Sequence, residues 1–227
     1  MACGKVGNLS REVFSPKGGG TDKYKSMTEM MSENPPGRYW EIKCKNLYTN
    51  TLITAIHGGG IEIGCTELAE ESSNLLNVDF FTLLGNKSSN NGDLHVTSTN
   101  YDEPTLISMT RRSDYTVAIH GASGTTKKVL LGGLDFVNRE KIKNHLIIKG
   151  FDVEDAPNEL SGTETNNITN QNKRRKGIQL ELTTALRRSF FTNDDWSKAN
   201  RTNRDNWTQS LHDFAQAIAD AVAEFEM

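Results

Sequence analysis

LITAIHGGGIEIGCTE, spanning Leu52 to Glu67, runs from an apolar strand into a histidine, three glycines and a carboxylate. A strand of Leu52, Ile53, Ala55 and Ile56 places His57 at its carboxyl end, and open α/β sheets bind ligands in the crevice beyond their strand ends. Glycines there let the backbone turn sharply and approach a ligand closely. The same words recur in YTVAIHGASG, Tyr115 to Gly124, where a second strand delivers His120 into another glycine turn. A hydrolytic zinc (Zn2+) site takes three protein ligands from imidazole and carboxylate and leaves a fourth position for water. His57, Glu62 and His120 supply such a set.

A third run, GIQLELT from Gly177 to Thr183, points Ile178, Leu180 and Leu182 one way and Gln179, Glu181 and Thr183 the other. Strands inside a parallel sheet are apolar on both faces, so the polar face looks into a site. Glu181 is then a candidate general base for a metal-activated water. Around these runs, strands are expected near Trp40–Lys45, Val78–Leu84, LHVTST at Leu94–Thr99, and Lys127–Leu131. Helices are expected near Tyr24–Met31, Thr66–Leu76, after Asp102 or Glu103 with Pro104 in the first turn, Leu134–Ile147, and Asn206–Glu226. Alternating strands and helices indicate an α/β fold.

At 227 residues and 35% hydrophobic content, the chain is long enough for one domain with a sizeable core. A net charge of -3 and a pI near 6.0 argue against a basic nucleic-acid binder. Residues 1–22 read as a flexible Gly-, Ser- and Lys-rich lead-in, and 23–227 as the folded domain, with a polar loop at about 155–176 ending in the basic run Lys173–Lys176. That run either steers an anionic substrate or is a solvated turn. The three cysteines, Cys3, Cys44 and Cys65, fit neither a disulfide framework nor a zinc finger. With no membrane-length apolar run and no signal-peptide h-region, the expectation is a soluble protein, cytoplasmic at synthesis and extracellular only after lysis. No heptad run points to a coiled coil, so a monomer is expected.

The chain resembles the phage-type poly-γ-glutamate hydrolase family, zinc peptidases related to carboxypeptidases. The matching words are HGGGIE at His57–Glu62, CTELA at Cys65–Ala69, NGDLHVTSTNYDEP at Asn91–Pro104, AIHG at Ala118–Gly121, LGGLD at Leu131–Asp135 and GIQLEL at Gly177–Leu182. Several words in order are far more specific than one. The resemblance implies a carboxypeptidase-like α/β fold with an open mixed sheet flanked by helices. It also implies cleavage of γ-glutamyl amide bonds in poly-γ-glutamate or a γ-glutamyl peptide, with His57, Glu62 and His120 as zinc ligands and Glu181 as the catalytic carboxylate.

The wider carboxypeptidase group spaces its first ligand pair as His-x-x-Glu, whereas Gly60 stands at that position here, so Glu62 reaches from a longer loop. Glu67 is its rival, and reads better as a first-turn helix carboxylate behind Thr66 as N-cap. Each γ-linked glutamate carries a free α-carboxylate, which a planar guanidinium can bind through both oxygens. Arg187 and Arg188 are candidates, with Arg187 favoured. His95 could contact substrate, orient a metal ligand, or be a hydrogen-bonded structural histidine.

Alternatives are a zinc amidohydrolase of small N-acyl amino acids and a non-enzymatic phage or prophage protein binding anionic polymer or nucleic acid. A serine hydrolase using HGGG would need a Gly-x-Ser-x-Gly elbow, which the chain lacks.

Overall fold

The structure is a computed structural model that describes residues 22–225. Residues 1–21 of the expected lead-in lie outside the described residues, whereas Asp22 lies within them and packs onto the domain. Seven strands form one sheet: β1 (Trp40–Lys45), β2 (Thr51–Gly59), β3 (Asp79–Gly85), β4 (Tyr115–Gly121), β5 (Val129–Gly133), β6 (Val153–Asp155) and β7 (Ile178–Leu182), in the order β1-β3-β2-β4-β7-β5-β6. The central β3, β2, β4 and β7 are parallel, while β1 and β5 pair antiparallel with β3 and β7. This is an open mixed sheet, as expected.

Strand periodicity sorts the side chains into two cores. Ile53, Ala55, Val117, Ile119, Leu180 and Leu182 face one layer, where α2 (Cys65–Leu76), α4 (Phe136–Ile148) and α7 (Gln209–Ala223) contribute Leu68, Leu146, Phe214 and Ile218. Leu52, Ile56, Phe81 and Leu83 face the other, against Met27 and Met30 of α1 (Met27–Glu33) and Leu106 and Met109 of α3 (Pro104–Arg112). Glu103 caps α3 by accepting from the amides of Thr105 and Leu106, with Pro104 at the start of the helix. The remaining helices, α5 (Thr184–Arg188) and α6 (Lys198–Arg201), are short connections. Among the described residues, no helix is long and apolar enough to cross a membrane.

One irregularity in β2 positions the site. Ala55 pairs with Thr82 and Gly58 with Leu84, so three steps along β2 oppose two along β3. Such a bulge interrupts the alternation of side chains. Ile56 belongs to the α1/α3 core, and His57 follows it onto the same face, against Tyr101 and His95. The carbonyls displaced from the ladder are satisfied individually, as buried backbone groups must be. Thr82 Oγ1 donates to Ala55 O at 2.7 Å, Tyr101 Oη to Ile56 O at 3.1 Å, and the Glu62 amide to His57 O at 2.8 Å.

Two expectations change. LHVTST is not a strand: it crosses two short 3-10 turns, Asn91–Leu94 and Ser98–Asn100. Leu94 through Ser98 are all buried, so both parities point into protein and the apparent alternation does not mark a solvent face. Helix α2 begins one residue earlier than expected, with Gly64 as N-cap at φ 98°. The Thr66 hydroxyl instead accepts from the Gly59 amide and meets Thr82 Oγ1.

The polar stretch near 155–176 is folded by its own amides. Asn167, Asn170 and Asn172 are buried, and Asn170 bonds the carbonyls of Gly162 and Glu164 and the amide of Gly177. Its basic end lies where β4 and β7 begin: Arg174 binds Asp135 and covers the Tyr115 ring, and Lys173 faces Asp114. His120 and Glu181 stand toward the other end of those strands, so this run does not line their crevice.

Candidate metal centre

Four groups meet at the carboxyl ends of β2 and β4: His57, Glu62, His95 and His120. The His57 ring centroid lies 4.0 Å from that of His95 and 5.1 Å from that of His120. Between them sits the Glu62 carboxylate, delivered by the turn after Gly58–Gly60. Its Oε1 is 3.1 Å from His57 Nδ1 and 3.9 Å from His95 Nε2. Its Oε2 is 3.5 Å from His120 Nδ1 and accepts from the Gly121 amide at 2.9 Å. Donor atoms of His57, Glu62 and His95 lie within 4.8 Å of one another, and His120 meets the group through Glu62 Oε2.

Hydrogen bonds fix the rings. A carbonyl only accepts, so the 2.8 Å contact of His57 Nε2 with Val96 O puts a proton on Nε2 and turns Nδ1 toward Glu62. His95 Nδ1 lies 2.6 Å from the Asp22 carboxylate, and its buried Nε2 has no hydrogen-bond partner. Burial holds both His95 and His120 below the ordinary imidazole range. Burial works against ionised Glu62 as well, but His57 and His120 prevail and hold it well below the usual carboxylate range. For His57, burial is outweighed by Glu62, leaving the imidazole above its ordinary value. The centre therefore offers an anionic carboxylate, imidazoles at His95 and His120 whose neutral form burial favours, and a buried ring nitrogen of His95 lacking a hydrogen-bond partner. That is the donor chemistry zinc takes, and the residues fit the metal.

Gly58 is indispensable to this packing. A Cβ there would lie 2.2 Å from Thr66 Oγ1, 2.3 Å from Thr82 Oγ1 and 2.9 Å from Leu83 O, inside the hydroxyl relay that holds the bulge. Gly58→Ala is expected to cost about 1–3 kcal/mol, as overpacking does, and to lower Tm by roughly 2–4 °C per kcal/mol at this chain length. Thermal denaturation of the two proteins checks it; an unchanged Tm would show that the relay yields freely.

Glu181 pairs with His120 across β4 and β7, which places both side chains on the site face of the sheet. Gln179, on the same polar face, donates from Nε2 to Glu181 Oε1 at 3.0 Å and accepts from Asn167 Nδ2 at 3.1 Å. The folded 155–176 segment thereby buttresses the carboxylate. Sequence patterning revealed the polar face; the partner of Gln179 comes from a loop without periodicity.

The arginines are placed differently from each other. Arg187 is fully buried, and its guanidinium is committed to main-chain carbonyls: Nε to Leu182 at 3.0 Å, Nη1 to Ile63 at 2.7 Å and Nη2 to Ala122 at 3.0 Å. It joins the turns after β2 and β4 to the end of β7. Arg188 is exposed, with its guanidinium 4.9 Å from the Trp196 ring centroid. Glu67, the rival of Glu62, forms a buried ion pair with Arg201 at 2.7 Å. Cys65 lies in the α2/α7 core, where burial pushes its thiol well above the ordinary range. Sequence reasoning missed Asp22, which no periodic pattern connects to His95.

Comparison with known proteins agrees with this geometry. Residues 24–217 match the poly-gamma-glutamate hydrolase family. In Bacillus subtilis strain 168, the SPbeta prophage-derived protein YoqZ is 34% identical over 89% of this chain and 72% of its own length. The protein YmaC of the same organism is 35% identical over 79% of this chain and 76% of its own. The solved structure of a bacteriophage poly-gamma-glutamate hydrolase superposes with a TM-score of 0.87 at 37% identity, covering 91% of this chain and 99% of that one. A zinc-free apo structure of YndL gives 0.83 at 28% identity, covering 91% and 100%. The extent of the family match, the shared fold over nearly the whole of the phage enzyme and the clustered His and Glu donors agree: the chain belongs to the poly-gamma-glutamate hydrolase family.

Proposed function

We propose that this protein is a zinc-dependent hydrolase that cleaves γ-glutamyl amide bonds of poly-γ-glutamate. The observation carrying the reading is the convergence of His57 Nδ1 and His120 Nδ1 on the two oxygens of Glu62, with Glu181 beside His120 in strand register. His57, Glu62 and His120 would hold the metal. Zinc, when bound, supplies Lewis acidity that polarises a carbonyl and lowers the pKa of water toward roughly 7.

In this reading Glu181 accepts the proton of the water attacking the γ-carbonyl, and the Gln179 hydrogen bond keeps its carboxylate aimed. Glu181 then returns the proton to the leaving α-amine, so that no amide anion has to depart. The Gly121 amide and the two flanking imidazoles hold Glu62 in place. Arg188 is the proposed contact for a substrate α-carboxylate, because its guanidinium reaches solvent while that of Arg187 does not. We also propose a monomer. Edge strand β1 carries Glu41, Lys43 and Lys45, charges that discourage edge-to-edge pairing.

The test is incubation of the purified protein with poly-γ-glutamate, followed by gel filtration, with chelated and zinc-restored samples in parallel. The expected result is polymer shortening that disappears on chelation and returns with zinc. Release of a single acyl group from small N-acyl amino acids, with the polymer intact, would replace the substrate assignment. An unaffected rate after complete chelation would reject the zinc chemistry.

A further inference from the structure

Asp22 meets His95 across 73 positions, and its carboxylate has two partners. Oδ1 lies 2.6 Å from His95 Nδ1, and Oδ2 accepts from the Thr97 amide at 2.7 Å. These contacts clamp the turn Leu94–Thr97, which also carries the Val96 carbonyl that orients His57. One carboxylate therefore supports the orientation of two imidazoles.

The chemistry of the clamp is directional. A carboxylate accepts hydrogen bonds, so it draws the His95 proton to Nδ1 and leaves the Nε2 lone pair directed inward. Nε2 is buried, has no hydrogen-bond partner and stands 3.9 Å from Glu62 Oε1. Two donors to one zinc, each at 2.0–2.1 Å, lie no more than about 4.2 Å apart. The separation of 3.9 Å falls within that span, as do the 3.1 Å between His57 Nδ1 and Glu62 Oε1 and the 3.5 Å between His120 Nδ1 and Glu62 Oε2.

We propose that Asp22 is a positioning residue of the metal centre: it holds His95 as the Nδ1–H tautomer and so presents Nε2 as a further donor to the cation bound by His57, Glu62 and His120. This rests on the zinc reading above. It makes the segment preceding α1 part of the site, although it contributes nothing to the sheet.

The experiment compares full-length wild type, Asp22→Asn, His95→Gln and the double variant. Two quantities are read: the zinc dissociation constant by competition with a chromophoric chelator, and the His95 ring tautomer in zinc-free protein by long-range 1H–15N NMR. In Asp22→Asn the side-chain amide can donate to Nδ1 and shift the proton to Nε2. Zinc affinity is expected to fall about 10–100-fold, the usual effect of removing a group that orients a metal-ligating histidine. Asp22→Asn should add little to His95→Gln, and Asp22→Glu should recover part of the loss.

Unchanged affinity in Asp22→Asn, or an equal loss in the His95→Gln background, would overturn the role. Should Asp22→Asn fail to fold, the wild-type tautomer decides: Nδ1–H supports the clamp and Nε2–H overturns it. A wild type that binds no zinc would reject the functional reading, and with it the donor role of His95, while its tautomer would still report separately on the clamp.

Discussion

Glu181→Gln is expected to lower kcat by about 10²–10⁴-fold, the usual contribution of a positioned general acid–base group, while leaving zinc content unchanged. The amide matches the carboxylate in size, and its oxygen can still accept from Gln179, so the strand and its buttress persist. What it loses is the ability to take a proton from water and pass it to the amine. Steady-state cleavage of poly-γ-glutamate together with metal analysis of the same preparation separates the two properties. A kcat within a few-fold of wild type, at full zinc occupancy, would remove Glu181 from proton transfer. Loss of zinc together with activity would instead make it part of metal retention.

Arg187→Ala is the second large effect, and it concerns stability before catalysis. The guanidinium joins the carbonyls of Ile63, Ala122 and Leu182, three positions far apart in sequence. Each buried acceptor left without its donor costs about 1–3 kcal/mol, so the expected loss is at least about 3 kcal/mol. At roughly 2–4 °C per kcal/mol, that predicts a fall in Tm of about 6–12 °C. Arg187→Lys should recover little, because one ammonium cannot reproduce a planar fork spanning three acceptors. A loss below about 1 kcal/mol in chemical denaturation would show that the carbonyls find other partners easily. Gly121 tightens the same constraint: a Cβ there would stand 2.7 Å from Arg187 Cζ, so the turn after His120 and the arginine fit only as a pair.

Much of the site is legible in the chain because periodicity exposes it. His57 and His120 end apolar runs, and Gln179 and Glu181 break the apolar rule for an inner strand. Sequence position favours Glu62 over Glu67, which follows the start of a helix, and the structure commits Glu67 to a buried ion pair with Arg201. Contacts that no local pattern encodes were not legible. Asp22 meets His95 across 73 positions, and Asn167 reaches Gln179 from a segment with no repeat. Arg187 illustrates a different difficulty. Its residue type suited a carboxylate equally well, and only burial reveals that backbone oxygens had already taken its donors. LHVTST failed as a strand because alternation implies a strand only when one face is wet, and here neither face is.

The extra residue in β2 has a consequence for how sequence change can reach the centre. Strand faces are a matter of parity, and between Ala55 and Gly58 the count changes from odd to even. Only Ile56 and His57 lie in that interval, so removing the Ile56 codon would restore regular alternation at the cost of a fully buried side chain of the α1/α3 core, and would seat the histidine one step back in the place Ile56 held. The candidate centre and the sheet are thus tied together at one short interval of β2, and a single deletion there would disturb both. Within this fold, the reading frame of the pleat shapes the candidate centre as much as the identity of its donor residues does.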